Sequence, residues 1–291
     1  MKKVSVIIPT FNSYHTLKDS IVSLQNQSLK PLEIIIIDNA SSDGTSEKTK
    51  KDFPKVKLVT MKKNTGVTGG RNEGTRHLSS QSEIVMFFDH DMVADKNMIQ
   101  ELVNVLESRK DIGIVTPKIY YWDKKKIIWA AGTDVNMITG QTLFRGGKDV
   151  SQYEKIEEVA VAPAVLLVDR VLIKKHLKFD DIYFATYEDT DYCFKAKKMG
   201  YSTFYAPKAV AYHKIPFDHD DANKRLLGRT LFVARNRVIF MKRFSKAFPL
   251  FILFTPVYFM YYSLLSLKYS QLKPILNYAR GLFEGFRYIL K

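Results

Sequence analysis

A run of five apolar residues, Ile84 to Phe88, ends abruptly in Asp89-His90-Asp91. An apolar run of that length, bounded by polar residues, predicts a buried strand. Two carboxylates at i and i+2 on its end repel each other unless a cation lies between them. A hard divalent ion takes oxygen ligands and keeps positions open for phosphate oxygens, so the pattern fits a site for Mg2+ or Mn2+. The same two aspartates would also serve a solvated loop as turn formers or helix caps. D-x-D alone does not choose between these readings. A second acidic group, Glu188-Asp189-Thr190-Asp191, opens a helical pattern that runs from Asp189 to Met199. Acids in a first turn also suit the helix dipole.

The elements that must carry these groups alternate along the first half. Val4–Ile8, Glu33–Asp38, Val56–Met61, Ile84–Asp89 and Ile112–Thr116 read as strands, with Pro9 stopping the first. Tyr14–Gln27, Thr45–Asp52, Thr68–Leu78 and Lys96–Ser108 carry helical spacing between them. Ile34 to Ile37 is apolar on both faces, as in a strand covered by helices on each side. The rhythm predicts an α/β fold with a doubly wound, mostly parallel sheet, whose ligands bind beyond the carboxyl ends of the strands. Polar residues stand at those ends: Thr10 and Asn12, Asp38 and Asn39, Asn64, Asp89 and Asp91. Their common register points to one shared site. From Tyr120 onward, glycines 132, 140, 146 and 147 punctuate short stretches around Trp122, Trp129 and Phe144, which predicts loops and short strands. Order returns with Val159–Asp169 and a strand near Ser202–Ala206.

With 291 residues, 46% of them hydrophobic and 26% charged, the chain is long enough for one large α/β domain plus an appendage. One cysteine, Cys193, excludes an internal disulfide and is expected to pack as a small buried side chain. Met1-Lys2-Lys3 leads straight into the first strand, so no secretory leader is expected. The net charge of +15 calls for an anionic partner. Basic residues gather after residue 174 and border an uncharged stretch, Ala247 to Leu267. Such a border favours a membrane surface over nucleic acid, for which no signature motif is present. That stretch matches the roughly 20 apolar residues of a bilayer span, although Pro256 and three tyrosines weaken a straight crossing. Ile275 to Lys291 is amphipathic, with Leu276, Ala279, Phe283, Phe286 and Leu290 against Arg280, Arg287 and Lys291, and suits an interfacial helix. The alternative is a buried helical hairpin that closes the domain, or a homodimer contact. The expected organisation is a domain over 1–225, with halves 1–118 and 119–225, and a membrane-association region over 226–291.

Val4-Ser5-Val6-Ile7-Ile8-Pro9-Thr10-Phe11-Asn12, Ile37-Asp38-Asn39-Ala40-Ser41-Ser42-Asp43-Gly44-Thr45, Asn64-Thr65-Gly66 through Gly70-Arg71-Asn72, Asp89-His90-Asp91 and Glu188-Asp189-Thr190-Asp191 follow one another in the order seen in the inverting GT-A glycosyltransferases of family 2. The chain resembles that family over about residues 3 to 215. The resemblance implies a GT-A, Rossmann-like fold with a C-terminal helical membrane-associated appendage. It implies that Asp38 contacts the base of a nucleotide; the competing reading is a cap for Ser41–Gly44. It implies that Pro9, Thr10 and Asn12 shape the nucleotide pocket, with Asn64 and Gly70 beside it, and that Arg71 reaches the base or diphosphate. Asn72 is expected to support that loop. Asp89 and Asp91 are the implied metal ligands, with His213 as a third, and a strand-end histidine is the plain alternative. His90 points to the opposite side, toward donor ribose or sugar, or simply packs. Asp189 is implied as the general base and Glu188 as its helper, with Asp191 capping or assisting.

The expected reaction is metal-dependent (Mn2+ or Mg2+) inverting transfer of one sugar from a UDP- or dTDP-linked nucleotide-sugar donor to a glycan or lipid-linked acceptor in cell-surface polysaccharide assembly. The expected location is the cytoplasmic face of the cell membrane, peripheral, monotopic or single-span. The Q-x-x-R-W motif of processive synthases is missing. Arg229 to Arg237 resembles non-processive members, and the E-D-x-D form is similar to rhamnosyltransferase-like ones. Two rivals are weighed: a membrane-bound module that holds a nucleotide-sugar without turnover, and a sugar-phosphate nucleotidyltransferase, whose N-terminal Gly-rich loop with Arg and Lys is absent here.

Overall fold

The computed structural model describes residues 2–290. The first half runs β1 (Val4–Thr10), α1 (Tyr14–Gln25), β2 (Glu33–Asp38), α2 (Thr45–Asp52), β3 (Lys57–Thr60), α3 (Gly66–Arg76), β4 (Ile84–Phe88), β5 (Met92–Ala94), α4 (Met98–Glu107) and β6 (Ile112–Tyr121). Short strands follow: β7 (Ile127–Ala130), β8 (Thr133–Val135), β9 (Thr142–Phe144), β10 (Gly147–Lys148) and β11 (Glu157–Val159). Then come β12 (Val165–Asp169), α5 (Arg170–Lys174), α6 (Glu188–Lys198), β13 (Ser202–His213) and four helices, α7 (His219–Gly228), α8 (Thr230–Phe244), α9 (Phe248–Lys268) and α10 (Lys273–Ile289).

One sheet carries the order β10-β7-β6-β12-β4-β1-β2-β3, with β13 on β6 and with β5 and β11 on β13. The β4-β1-β2-β3 ladder is parallel, as is β6 with β13. β12 inserts antiparallel between β4 and β6. Ile34 to Ile37 are all buried, so both faces of β2 are covered. Each such side chain contributes about 1.5–3 kcal/mol.

Three strands outrun their sequence boundaries, each through a proline, and β6 runs past Pro117 to Tyr121. β1 passes Pro9 to pair Thr10 with Asp38, whereas its ladder to β4 ends at Ile7. With only one edge paired there, a residue without an N–H is tolerated. β13 continues past Ala206 because Pro207 sits at a register shift between Ala206 and Val210, where a ladder bond is not required.

The C-terminal helices depart further from expectation. The division expected after residue 225 falls inside α7. α8 joins Tyr183 and Tyr187 in one apolar cluster with Val238, Ile239, Phe240 and Met241, and so packs into the 119–225 half. α9 is continuous across Pro256 and buries only Phe251, Tyr262 and Ser266. α10 lies on α8 through Gly281 and Gly285: a Cβ at either would stand within 3 Å of a carbonyl oxygen of α8. Of its expected apolar face, Phe286 packs inward, whereas Leu276, Phe283 and Leu290, seven residues apart, remain exposed.

Candidate active site

The parallel ladder delivers Thr10, Asp38 and Thr60 to one level, since Thr10 pairs with Asp38 and Asp38 with Thr60. Asp89 follows the last residue of β4 on the same edge. Asp38 is fully buried. Its Oδ1 accepts from the Ser41 amide at 3.0 Å and from the Ser41 hydroxyl, and its Oδ2 accepts from the Ser46 hydroxyl. The capping alternative for Asp38 is thus realised at Oδ1, while Oδ2 is engaged by Ser46 of α2. Asn12 adopts φ 49° and its Oδ1 accepts from the Ser42 amide at 2.8 Å, so it ties β1 to the same turn. Pro9 touches the next element: a Cβ at Gly70 would stand 2.8 Å from Pro9 Cβ and 2.9 Å from Asn39 Nδ2, so only glycine lets α3 approach β1. The Thr10 hydroxyl is buried without a partner among the described residues. Asn64 accepts from the Gly66 amide at 2.8 Å and starts α3. Asn72 braces the far wall, donating to Phe179 O at 2.9 Å and accepting from Phe179 N at 3.0 Å.

Arg71 is the centre of the site. It is fully buried, and its two terminal nitrogens donate to Asp89 Oδ1 (2.8 Å) and to Asp189 Oδ1. Its guanidinium carbon lies 5.0 Å from the Phe179 ring centre and 6.0 Å from that of Phe87, so aromatic faces complete the cation's surroundings. The fork that sequence reading aims at a donor is, in the structure, occupied by two protein carboxylates. Ala164 makes a second bridge between them: its amide donates to Asp189 Oδ2 at 3.2 Å and its carbonyl accepts from Asp89 N at 3.2 Å. Ala164 holds φ 61°, a left-handed conformation that a β-carbon disfavours. No sequence pattern singles it out. Burial first, then the Asp189 carboxylate, push the neighbouring Glu188 up to about 8, and its Oε2 has no partner among the described residues. Glu188 therefore carries a proton at neutral pH. Burial likewise raises Asp89, against the pull of Arg71.

Asp91 and His213 form a separate pair. The antiparallel register sets His213 opposite Met92, so the preceding residue, Asp91, comes beside the imidazole. Asp91 Oδ2 lies 3.3 Å from His213 Nε2. Burial alone would raise Asp91, but the His213 hydrogen bond and the charges of His213 and His90 bring it well below the usual carboxylate range. Trp129 packs edge-on to His213 at 4.5 Å. The expected trio of Asp89, Asp91 and His213 is not preassembled: no cluster of three metal-binding residues exists among the described residues, because Asp89 turns to Arg71. The His90 ring sits on α1, with Nδ1 3.2 Å from Thr16 Oγ1, which is the packing alternative for this residue. Asp191 is buried within α6, 3.0 Å from Arg243 and 2.6 Å from Lys195, and is a structural ion pair. Cys193 is buried and its thiol is pushed up to about 12 by burial, so it stays protonated.

Two of the expected ligands, Asp91 and His213, are spaced to fit a hard divalent ion. Two ligands bound at about 2.1 Å on adjacent corners of an octahedron lie roughly 3 Å apart, close to the Asp91–His213 spacing. The second oxygen of Asp89 has no protein partner among the described residues.

A parallel α/β ladder whose carboxyl ends gather acidic groups, followed by a mixed half that supplies a helix N-terminus and a histidine, defines a GT-A-like fold. The profile of Glycosyl transferase family 2 matches residues 5–174, and the chain belongs to that family. It is 34% identical over 125 residues, 40% of this chain and 31% of the relative, to an uncharacterized glycosyltransferase, YfnE, of Bacillus subtilis (strain 168). It is 40% identical over 95 residues, 31% of this chain and 30% of the relative, to the GalNAc(5)-diNAcBac-PP-undecaprenol beta-1,3-glucosyltransferase of Campylobacter jejuni. The matched region spans about a third of the length of these relatives. Among solved structures, GalNAc-T7, crystallised with UDP, GalNAc and Mn2+, superposes with TM-score 0.63 at 14% identity, over 82% of this chain and 51% of that one, which establishes the fold.

Proposed function

We propose that this protein transfers a single sugar, with inversion, from a UDP- or dTDP-sugar to a hydroxyl of a glycan or lipid-linked acceptor in cell-surface polysaccharide assembly. The observation that carries the reading is the Asp89–Arg71–Asp189 bridge, which joins the strand-end carboxylate to the helix-start carboxylate. Asp189 acts as general base, its carboxylate taking the acceptor hydroxyl proton as the oxygen attacks the anomeric carbon opposite the departing diphosphate. Arg71 and the Ala164 amide fix the direction in which that carboxylate points. Glu188, protonated at neutral pH, donates a hydrogen bond within the acceptor side. Asp91 and His213, with the second oxygen of Asp89, would hold Mn2+ or Mg2+, whose charge stabilises a leaving nucleoside diphosphate. Thr10, its buried hydroxyl unpartnered among the described residues, and the Asp38 turn form the floor on which a nucleotide base lies.

The acceptor is met at the cytoplasmic membrane surface. α9 has the length and composition of a membrane span, yet one face packs on the body from Phe251 to Ser266. Its other face exposes Leu253, Val257, Met260 and Leu264, and exposed Lys242, Lys246 and Lys268 flank it. Its partners α8 and α10 carry arginines along their lengths, which favours an interfacial seat over a crossing.

The test is nucleoside diphosphate release from UDP-glucose, UDP-galactose, UDP-N-acetylglucosamine and dTDP-rhamnose, with Mn2+ and with EDTA. Release that needs both metal and Asp189 supports the reading. Tight binding of a donor with no turnover by the wild type would replace it with a binding module.

A further inference from the structure

The segment entering α6 is gripped by three consecutive side chains of α8. Arg235 donates to Ile182 O at 2.6 Å. Asn236 Nδ2 donates to both Ala185 O and Thr186 O at 2.8 Å. Arg237 Nε donates to the Tyr187 hydroxyl at 3.0 Å, and that hydroxyl donates in turn to Gly140 O. The gripped backbone is strained: Thr186 and Tyr187, at φ 65° and 64°, are consecutive left-handed residues with β-carbons, immediately before Glu188 and Asp189. Such backbone persists only where its surroundings over-determine it, and it concentrates at functional sites. The same segment reaches the other wall, because Phe184 O accepts from Val67 N at 3.2 Å at the start of α3.

Packing alone does not call for these side chains. Asn236 is fully buried and Arg237 nearly so, and burying amide and guanidinium groups is unfavourable unless their hydrogen bonds are used. Arg237 has no carboxylate partner among the described residues; its charge faces the Tyr258 ring of α9 at 4.2 Å. Arg235 also approaches Glu284 of α10 at 3.8 Å.

We infer that Asn236, flanked by Arg235 and Arg237, is a positioning residue that holds the strained 182–187 segment so that Asp189 is presented to the acceptor, and that the C-terminal helices are thereby part of the transfer apparatus. The inference rests on the transferase reading for its kinetic half only. The full chain and Asn236→Ala are compared for nucleoside diphosphate release across the donor panel above, for UDP affinity with Mn2+ by calorimetry, and for amide hydrogen exchange. The expected result is a kcat lower by about 10–100-fold, in line with the effect of small misplacements of reacting groups, a UDP Kd within about twofold of wild type, and faster exchange confined to 182–189. Asn236→Asp, which has the shape without the donor, should behave like Asn236→Ala. If Asn236→Ala does not fold, Tyr187→Phe keeps the ring and removes the hydroxyl, and should lower kcat about 3–10-fold with UDP affinity retained. Unchanged turnover with unchanged exchange, or turnover and UDP affinity lost together, overturns the inference. An inactive wild type whose Asn236→Ala variant still exchanges faster at 182–189 would instead sink the transferase reading and leave the grip standing.

Discussion

Replacing Arg71 by methionine keeps the length of the side chain and removes the charge that Asp89 and Asp189 share. Both contacts are lost at once, and the carboxylates then face each other and Glu188 with no cation between them. Removing one partner from a buried ionic group typically costs about 3–5 kcal/mol. The Asp89 side chain is 31% exposed and that of Asp189 16%, so water relieves part of the repulsion and places the expected loss near about 3 kcal/mol. At about 2–4 °C per kcal/mol for a chain above 150 residues, the melting midpoint should fall by roughly 6–12 °C. The loss must also depend on pH. Without Arg71 the folded-state pKa values of Asp89 and Glu188 rise further above their unfolded values. A carboxyl group raised in this way favours the folded state below its unfolded pKa, and that contribution disappears as pH climbs through the folded value. The gap between variant and wild type should therefore be smallest near pH 5 and widen toward pH 8. Differential scanning fluorimetry, with urea titrations at both pH values, measures it. A gap below about 1 kcal/mol, or one that does not change with pH, would show that Arg71 is not the counter-ion of these carboxylates.

Asp189→Asn retains an acceptor for Arg71 but takes no proton; kcat should drop about 10²–10⁴-fold while UDP binding by calorimetry stays near wild type. Glu188→Gln removes a group raised from 4.5 to about 8; wild-type stability should fall as pH rises from 5 to 9 and the variant should lose that slope, a difference of up to about 4 kcal/mol shared among the neighbouring carboxylates and read by urea titration. Gly66→Ala forces a β-carbon at φ 73° to within 2.4 Å of Phe184 O, so unfolding free energy should fall by at least about 2 kcal/mol in the same assay. A Leu253→Asp, Met260→Asp, Leu264→Asp triple variant should lose flotation with liposomes containing anionic lipid, with its melting midpoint little altered because all three side chains are exposed.

What lay within reach of neighbouring residues was legible in the chain itself. The apolar run Ile34 to Ile37 set a strand covered on both faces, the five-residue run before Asp89 put carboxylates on a strand end, and the helix over Thr45–Asp52 has the expected bounds. These follow from periodicity and turn chemistry, which depend on residues a few positions apart. The uncharged stretch after Ala247 announced an apolar helix for the same reason. Tertiary structure alone decided who neutralises whom. Arg71 meets Asp89 across 18 residues and Asp189 across 118, and Asp91 meets His213 because one antiparallel register, not another, closes β5 on β13. Asp38 has the same neighbours in sequence whether it caps a turn or faces a ligand, and only folding brought Ser46 to its second oxygen. The α8 grip on 182–187 was invisible for a related reason: a buried asparagine or arginine declares its purpose only through the distant carbonyls that it satisfies, and those are chosen by packing.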